Sequence, residues 1–214
     1  MSPQYEDCAP GDDLYTVPKK LPISNFTKRS HVVVHDEEGR DMTSRGAIRA
    51  AIWRASYRMD NVTAPREVLA KWLYAIAVVE SGGEWARCGA EAITFLEGKM
   101  GEIGPWQGTY GAFLDCQRVY GRHSQSLRRD EMSMYPDPCT LYGQAIERII
   151  YIHEYGDPYP DDDGFDPEMQ AWMWMVDMAK VHHGGPDRES SDMDDYVRKF
   201  EKALDEESMK VFGW

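Results

Sequence analysis

A mainly α-helical fold is what this sequence predicts, and three observations predict it. Five segments carry apolar residues at intervals of three and four, the spacing of one helix face. Capping and breaking residues stand at the ends of those segments, with Ser44 and Ser191 before two of them and glycine pairs after two others. Only one short run, Val32 to Val34, has β character.

Residues 1–42 come first, with Pro3, Pro10, Pro18 and Pro22 among turn residues and no core-forming pattern. They read as an extended N-terminal arm, either a loose terminus or a strap that orders against a partner. Helical pattern starts after Ser44, where Ala47, Ile48, Ala51, Ile52, Ala55 and Met59 recur on one face and Arg45, Arg49, Arg54 and Arg58 fall elsewhere. A second helix is expected from near Thr63, with Pro65 in its first turn and Val68, Leu69, Trp72, Leu73, Ile76 and Val79 along a wide stripe. So wide a stripe marks a central, buried helix.

Gly82 and Gly83 stop it, and the glycine-punctuated stretch through Gly111 reads as a loop region holding at most a short helix or hairpin. Periodicity returns from Leu141 to Ile152, breaks over residues 156–167, resumes at Trp172, Met175, Val176 and Ala179, and closes at Gly184, Gly185 and Pro186. A last helix follows Ser191, with Tyr196, Val197, Phe200, Ala203 and Leu204 on one face and Asp192, Asp194 and Asp195 in its first turn, where the helix dipole favours anions. The organisation expected is an arm over 1–42, one helical domain over 43–189, and a C-terminal helix and tail over 190–214.

With 214 residues, 42% of them hydrophobic and 12% aromatic, the chain can bury one substantial core. Its 24 basic residues against 37 acidic ones give a net charge of −13, which repels phosphate backbones and anionic lipid and argues against nucleic acid or a membrane as partner. The opening residues, among them Ser2, Gln4, Glu6 and Asp7, form neither a basic start nor an apolar run, and no membrane-length stretch follows. The expectation is a protein made in the cytoplasm without a signal peptide. Cys8, Cys88, Cys116 and Cys139 lack the paired short spacing of zinc sites and read as reduced thiols, with one disulfide among the last three left open.

Chemistry concentrates at Glu80. It lies four residues beyond Ile76 and eight beyond Trp72, so it continues the apolar face of the buried helix at that helix's last turn. Burial and the negative end of the dipole both raise a carboxyl pKa there, and a proton retained near neutral pH is what a general acid requires. A partly exposed glutamate with its stem packed is the plainer alternative.

Three segments in order resemble the soluble lytic transglycosylases and the related goose-type lysozymes. Glu80-Ser81-Gly82-Gly83 resembles the Glu-Ser turn that ends their catalytic helix. Gly101-Glu102-Ile103-Gly104-Pro105-Trp106-Gln107 resembles their Gly-x-x-Gly-x-x-Gln loop. Ala179 to Pro186 resembles their Ala-x-x-Tyr-Asn-x-Gly-Pro segment, with His182 and His183 standing where Tyr and Asn are usual. Helix Leu141 to Tyr155 also resembles one the family places between the last two, so the likeness runs from about Pro65 to Pro186.

That resemblance implies a lysozyme-like helical domain acting on peptidoglycan glycan strands. Glu80 would protonate the oxygen between N-acetylmuramic acid and N-acetylglucosamine and then take a proton back from the sugar's own 6-hydroxyl, leaving an anhydro product. One carboxylate suffices for that, unlike the paired scheme of most glycosidases. A muramidase outcome with water stays open, and Glu84 and Glu102 are candidates for a second acid. Ser81, Gly104, Trp106, Gln107, His182 and His183 are the substrate-binding candidates: Gly104 for close backbone approach, Trp106 for stacking on a pyranose ring, Gln107 for an N-acetyl group, the imidazoles for hydrogen bonds. No cofactor is called for. No metal is expected either, because adjacent helical histidines point about 100° apart and no carboxylate completes a site, while His31 and His35 lack partners.

An extracytoplasmic substrate, no export signal and a charge that opposes approach to an anionic wall together point to a component of a bacteriophage particle, in the tail or ejected from within. Residues 1–42 and Phe212-Gly213-Trp214 would dock on other virion proteins. The alternatives are an endolysin, a virion structural or adaptor protein of the same fold with lost or weak activity, and a sugar-binding module.

Overall fold

The computed structural model describes residues 44–60, 62–82, 93–94, 96–99, 101–122, 136, 138, 140–160 and 164–205. The expected arm, its Val32–Val34 run and histidines, Glu84, Cys8, Cys88, Cys139 and the terminal Phe212-Gly213-Trp214 lie outside them. Among the described residues there are six helices and no strand: α1 Ser44–Arg58, α2 Arg66–Ser81, α3 Tyr110–Arg122, α4 Leu141–Tyr155, α5 Pro167–Gly184 and α6 Met193–Leu204. The mainly α expectation holds.

Helix α2 is the centre. Every residue from Val68 to Ala77 except Lys71 is buried, so it presents apolar surface all round, and α1, α4, α5 and α6 each pack on it. It starts at Arg66 rather than near Thr63, with Pro65 in the capping position, and it ends where Gly82 turns left-handed at φ 64°. Helix α1 and the turn that follows it bury the six residues the periodicity named, Met59 being the one in the turn. Its exposed Trp53 carries the Arg66 guanidinium, 3.5 Å from the ring centroid.

Helix α3 begins at the end of the glycine-punctuated stretch, where the sequence left room for a short helix, and runs on to Arg122. Thr109 Oγ1 accepts from the Ala112 amide at 3.2 Å, and Phe113, Cys116, Val119 and Tyr120 form a buried face against α4. Helix α4 runs as expected from the Thr140 cap, whose Oγ1 accepts from Gly143 N at 2.9 Å. Helix α5 begins earlier than its periodicity, at Pro167, because Asp166 caps it by accepting from the Glu168 and Met169 amides. Its first two turns project past the core, which leaves Trp172 41% exposed beside exposed Met169 and Met173, and burial begins only at Trp174.

Helix α6 is part of the same core. Tyr196, Phe200 and Ala203 join one cluster with α2 and α5 residues, so the segment read as an appendage beyond residue 189 packs on the central helix. No helix among the described residues is long and apolar enough to cross a membrane.

Candidate active site

Glu80 stands in the last turn of α2, at the rim of a cleft of about 410 Å³. Its side chain keeps 20% exposure. The cleft wall also takes Glu102 and Gln107 from the loop before α3, Thr109 and Ala112 from the start of α3, Arg148 and Tyr151 from α4, and His182, His183 and Gly185 from the end of α5. All three sequence segments singled out above therefore reach one cavity, of a volume usual for small-molecule sites.

One carboxylate oxygen of Glu80 receives two hydrogen bonds. The Tyr196 hydroxyl donates to Oε1 at 2.8 Å, and His182 Nε2 lies 3.0 Å from the same atom. His182 is in turn held on its other side, with Nδ1 3.1 Å from Arg148 Nη1. Its ring meets Trp72 of α2 edge-on, at 6.2 Å between centroids. Arg148 Nε and Nη2 both donate to the Glu147 carboxylate, a forked pair with both side chains buried. Below that pair sits the Cys116 thiol of α3, 3.6 Å from Glu147 Oε1, and burial and the neighbouring carboxylate push its pKa far up, so it is an inert core thiol.

The acidity of Glu80 is the reverse of the expectation. Burial is the largest single influence and does raise its pKa, but the His182 and Tyr196 hydrogen bonds, with the charge of Arg148, oppose it, and the carboxyl is held below its ordinary value. The sequence argument counted burial and the dipole and had no way to count two donors from distant helices. The same surroundings push His182 below the ordinary histidine value, burial first, and push Tyr196 well above the ordinary tyrosine value. At neutral pH the site thus holds a carboxylate, a neutral imidazole and a neutral phenol.

The other predicted residues divide. His183 lines the cleft, but its ring stacks on Tyr196 at 4.0 Å and its Nε2 meets Asp192 Oδ1 at 2.8 Å, so it braces the tyrosine. Gln107 lines the cleft in a left-handed conformation at φ 49°, its amide donating to the Leu96 and Gly104 carbonyls at 3.2 and 2.6 Å. Only the acceptor oxygen of that amide is left for a ligand.

Trp106 is not available to stack on a sugar. It is 1% exposed, and its indole N–H donates to the Leu73 carbonyl of α2 at 2.8 Å, which pins the loop to the central helix. Gly104 is buried too, at φ 76°, and a Cβ there would stand 1.9 Å from Gln144 Oε1. Its lack of a side chain serves approach to α4, not to a ligand. The Ser81 hydroxyl turns back to its own helix, donating to the Ala77 carbonyl, and it does not line the cleft.

Tyr196, Arg148, Glu147 and Tyr151 were missed. Tyr196 was read as part of an apolar stripe, and a stripe does not show that a phenol has a partner. Glu147 and Arg148 did leave a signal: two charges between Ile146 and Ile149 on a helix apolar on most sides must be paired. Among the described residues, no group of three or more His, Cys, Asp or Glu is placed to hold a metal ion.

Comparison with protein-family models, with curated proteins and with solved structures gives no match to this chain.

Substituting Tyr196 with phenylalanine removes one of the two donors on Oε1 at little cost in shape. The Glu80 pKa should rise, so a pH titration of its carboxyl by carbon NMR should move to higher pH. A titration that stays in place would remove Tyr196 from control of the acid.

Proposed function

We propose that this chain is a lysozyme-like protein that cleaves peptidoglycan glycan strands between N-acetylmuramic acid and N-acetylglucosamine, with Glu80 as the acid. The observation that carries this reading is the convergence on one cleft of Glu80, of Glu102 and Gln107, and of His182, His183 and Gly185. These come from the three separate segments whose resemblance to lytic transglycosylases suggested the activity.

In this reading the oxygen of Glu80 that receives no hydrogen bond from His182 or Tyr196 handles the proton. Protonated Glu80 gives its proton to the glycosidic oxygen, and the resulting carboxylate takes one from the sugar 6-hydroxyl or from water. The lowered pKa sets the sign of the pH dependence: the protonated fraction grows as pH falls toward it, so cleavage should strengthen on acidification. The Gln107 acceptor oxygen suits the N–H of an N-acetyl group. Glu102 on the same wall is the group present to orient a water for the hydrolytic outcome.

The test is purified protein on peptidoglycan, with mass analysis of the released muropeptides across pH. Anhydro products, lighter by one water, mean transglycosylation, and full-mass products mean hydrolysis. No release at any pH would remove the enzymatic reading. One observation favours a non-cleaving particle protein instead, namely that two donors hold Glu80 as its anion.

The place of action we propose is the bacteriophage virion, on the strength of the −13 charge, which makes delivery on a larger body easier to reconcile with an anionic wall than free diffusion. Searching purified virions for the chain tests this independently of catalysis.

A further inference from the structure

A glutamate hydrogen-bonded to a histidine ordinarily makes a poor general acid. As pH falls, the imidazole, the more basic group, takes the proton first and forms an imidazolium beside a carboxylate, so the carboxylate carries nothing to transfer. The present site has a device against that outcome.

Arginine has five N–H donors and no acceptor. Arg148 Nη1 lies 3.1 Å from His182 Nδ1, so Nδ1 must offer its lone pair there, and the ring's single proton must be on Nε2, where it points at Glu80 Oε1 3.0 Å away. The only lone pair at which the ring could accept a further proton is already engaged. It is engaged, moreover, by a cation that cannot be neutralised and cannot swing away, because the Glu147 carboxylate holds its other edge by two hydrogen bonds in a buried pocket.

We propose that Arg148 is a positioning residue that locks His182 in the neutral Nε2–H tautomer, so that the proton the site takes up on acidification goes to Glu80. Glu147 supports it by fixing the guanidinium. The inference rests on the functional reading above only for its catalytic consequence; the order of protonation stands by itself. All the elements packed around His182 bear on that order. Helix α2 contributes Glu80, α4 contributes Glu147 and Arg148, and α6 contributes Tyr196, which donates to Glu80 and stays neutral. Helix α3 contributes Cys116, protonated, with Asp115 beyond it bonded to Tyr155. His183 on α5 is turned to Asp192. Burial, the largest influence, and the charge of Arg148, the cation in contact with the ring, depress His182 and outweigh the Glu80 and Glu147 carboxylates, which act the other way.

The experiment is a pH titration of the full chain labelled with nitrogen-15 histidine and carbon-13 glutamate, with the His182 and Glu80 signals assigned by their loss in His182→Gln and Glu80→Gln. The expected result is a neutral Nε2–H ring throughout the range in which the Glu80 carboxyl takes up its proton. A His182 ring found as the Nδ1–H tautomer, or as imidazolium while Glu80 is still ionised, would overturn the proposal. The double variant Glu147→Gln with Arg148→Gln removes both buried charges and so leaves neither one unpaired. In it the His182 protonation should move up by about one pH unit or more, a tenfold change in the protonated fraction, and should precede that of Glu80. In Arg148→Lys, which keeps a cation and a donor, the original order should be retained. A double variant in which His182 still stays neutral through the Glu80 titration would also overturn it. Should the double variant fail to fold, the wild-type and lysine titrations decide. Cleavage is a separate readout: a confirmed tautomer with no muropeptide release leaves the protonation order standing and removes the enzymatic reading alone.

Discussion

Replacing Glu80 with glutamine is expected to abolish cleavage while leaving the fold intact, and the geometry explains the second half of that expectation. Both protein hydrogen bonds to the carboxylate end on Oε1. A glutamine can place its carbonyl oxygen there, accept from His182 and Tyr196 as before, and turn its amide nitrogen toward the cleft. What it lacks is a transferable proton, and losing a general acid costs about 10² to 10⁴ in rate. Muropeptide release, measured beside thermal unfolding of the same preparation, checks both halves. A variant that keeps more than a few per cent of the rate would place the acid elsewhere, with Glu102, on the same wall, the first residue to examine.

The second large effect is on stability. Trp106→Ala empties a fully enclosed site and leaves the loop without its tie to the Leu73 carbonyl of α2. A cost of about 3–5 kcal/mol is expected from the cavity, which for a domain of this size is a large part of the whole. Denaturant unfolding measures it directly. A tryptophan that served as a sugar platform would behave in the opposite way, weakening binding of chitin oligosaccharides while leaving the unfolding midpoint unchanged.

Helices were legible in this sequence where burial is one-sided. Ala47 to Met59 and Tyr196 to Ala203 repeat at three and four because one face of each meets the core, whereas the Leu141 to Ile152 helix is buried on most sides and was legible from its isoleucines. Legibility failed where tertiary contacts overrode local composition. Helix α3 forms despite Gly111, because Phe113, Cys116 and Val119 have α4 to pack against. Trp106 looked like a ligand platform because a glycine-rich loop with a tryptophan reads alike whether the ring faces out or in.

Within the site, position was legible and chemistry was not. That Glu80 ends a buried helix follows from its spacing after Trp72 and Ile76. Its acidity depends on a histidine from α5 and a tyrosine from α6, and no local pattern announces either partnership. Reading Tyr196 as core was correct as to burial, since it is 6% exposed, and silent about its hydroxyl.

Tyr196 also bears on the order in which the molecule becomes itself. The two groups that hold the Glu80 oxygen arrive 102 and 116 residues later in the chain than the glutamate. Contacts of such separation are slow to close, so they belong to the late part of folding. A nascent chain that has completed α1 to α4 already owns its glutamate but neither of its donors. The reverse journey matters as well. Undocking α6 alone, a local opening far short of global unfolding, withdraws the phenol from Glu80 and from the His183 ring of α5 on which it stacks, and moves the carboxyl back toward ordinary acidity. Amide hydrogen exchange along α6 therefore times how often the carboxyl loses its tyrosine donor.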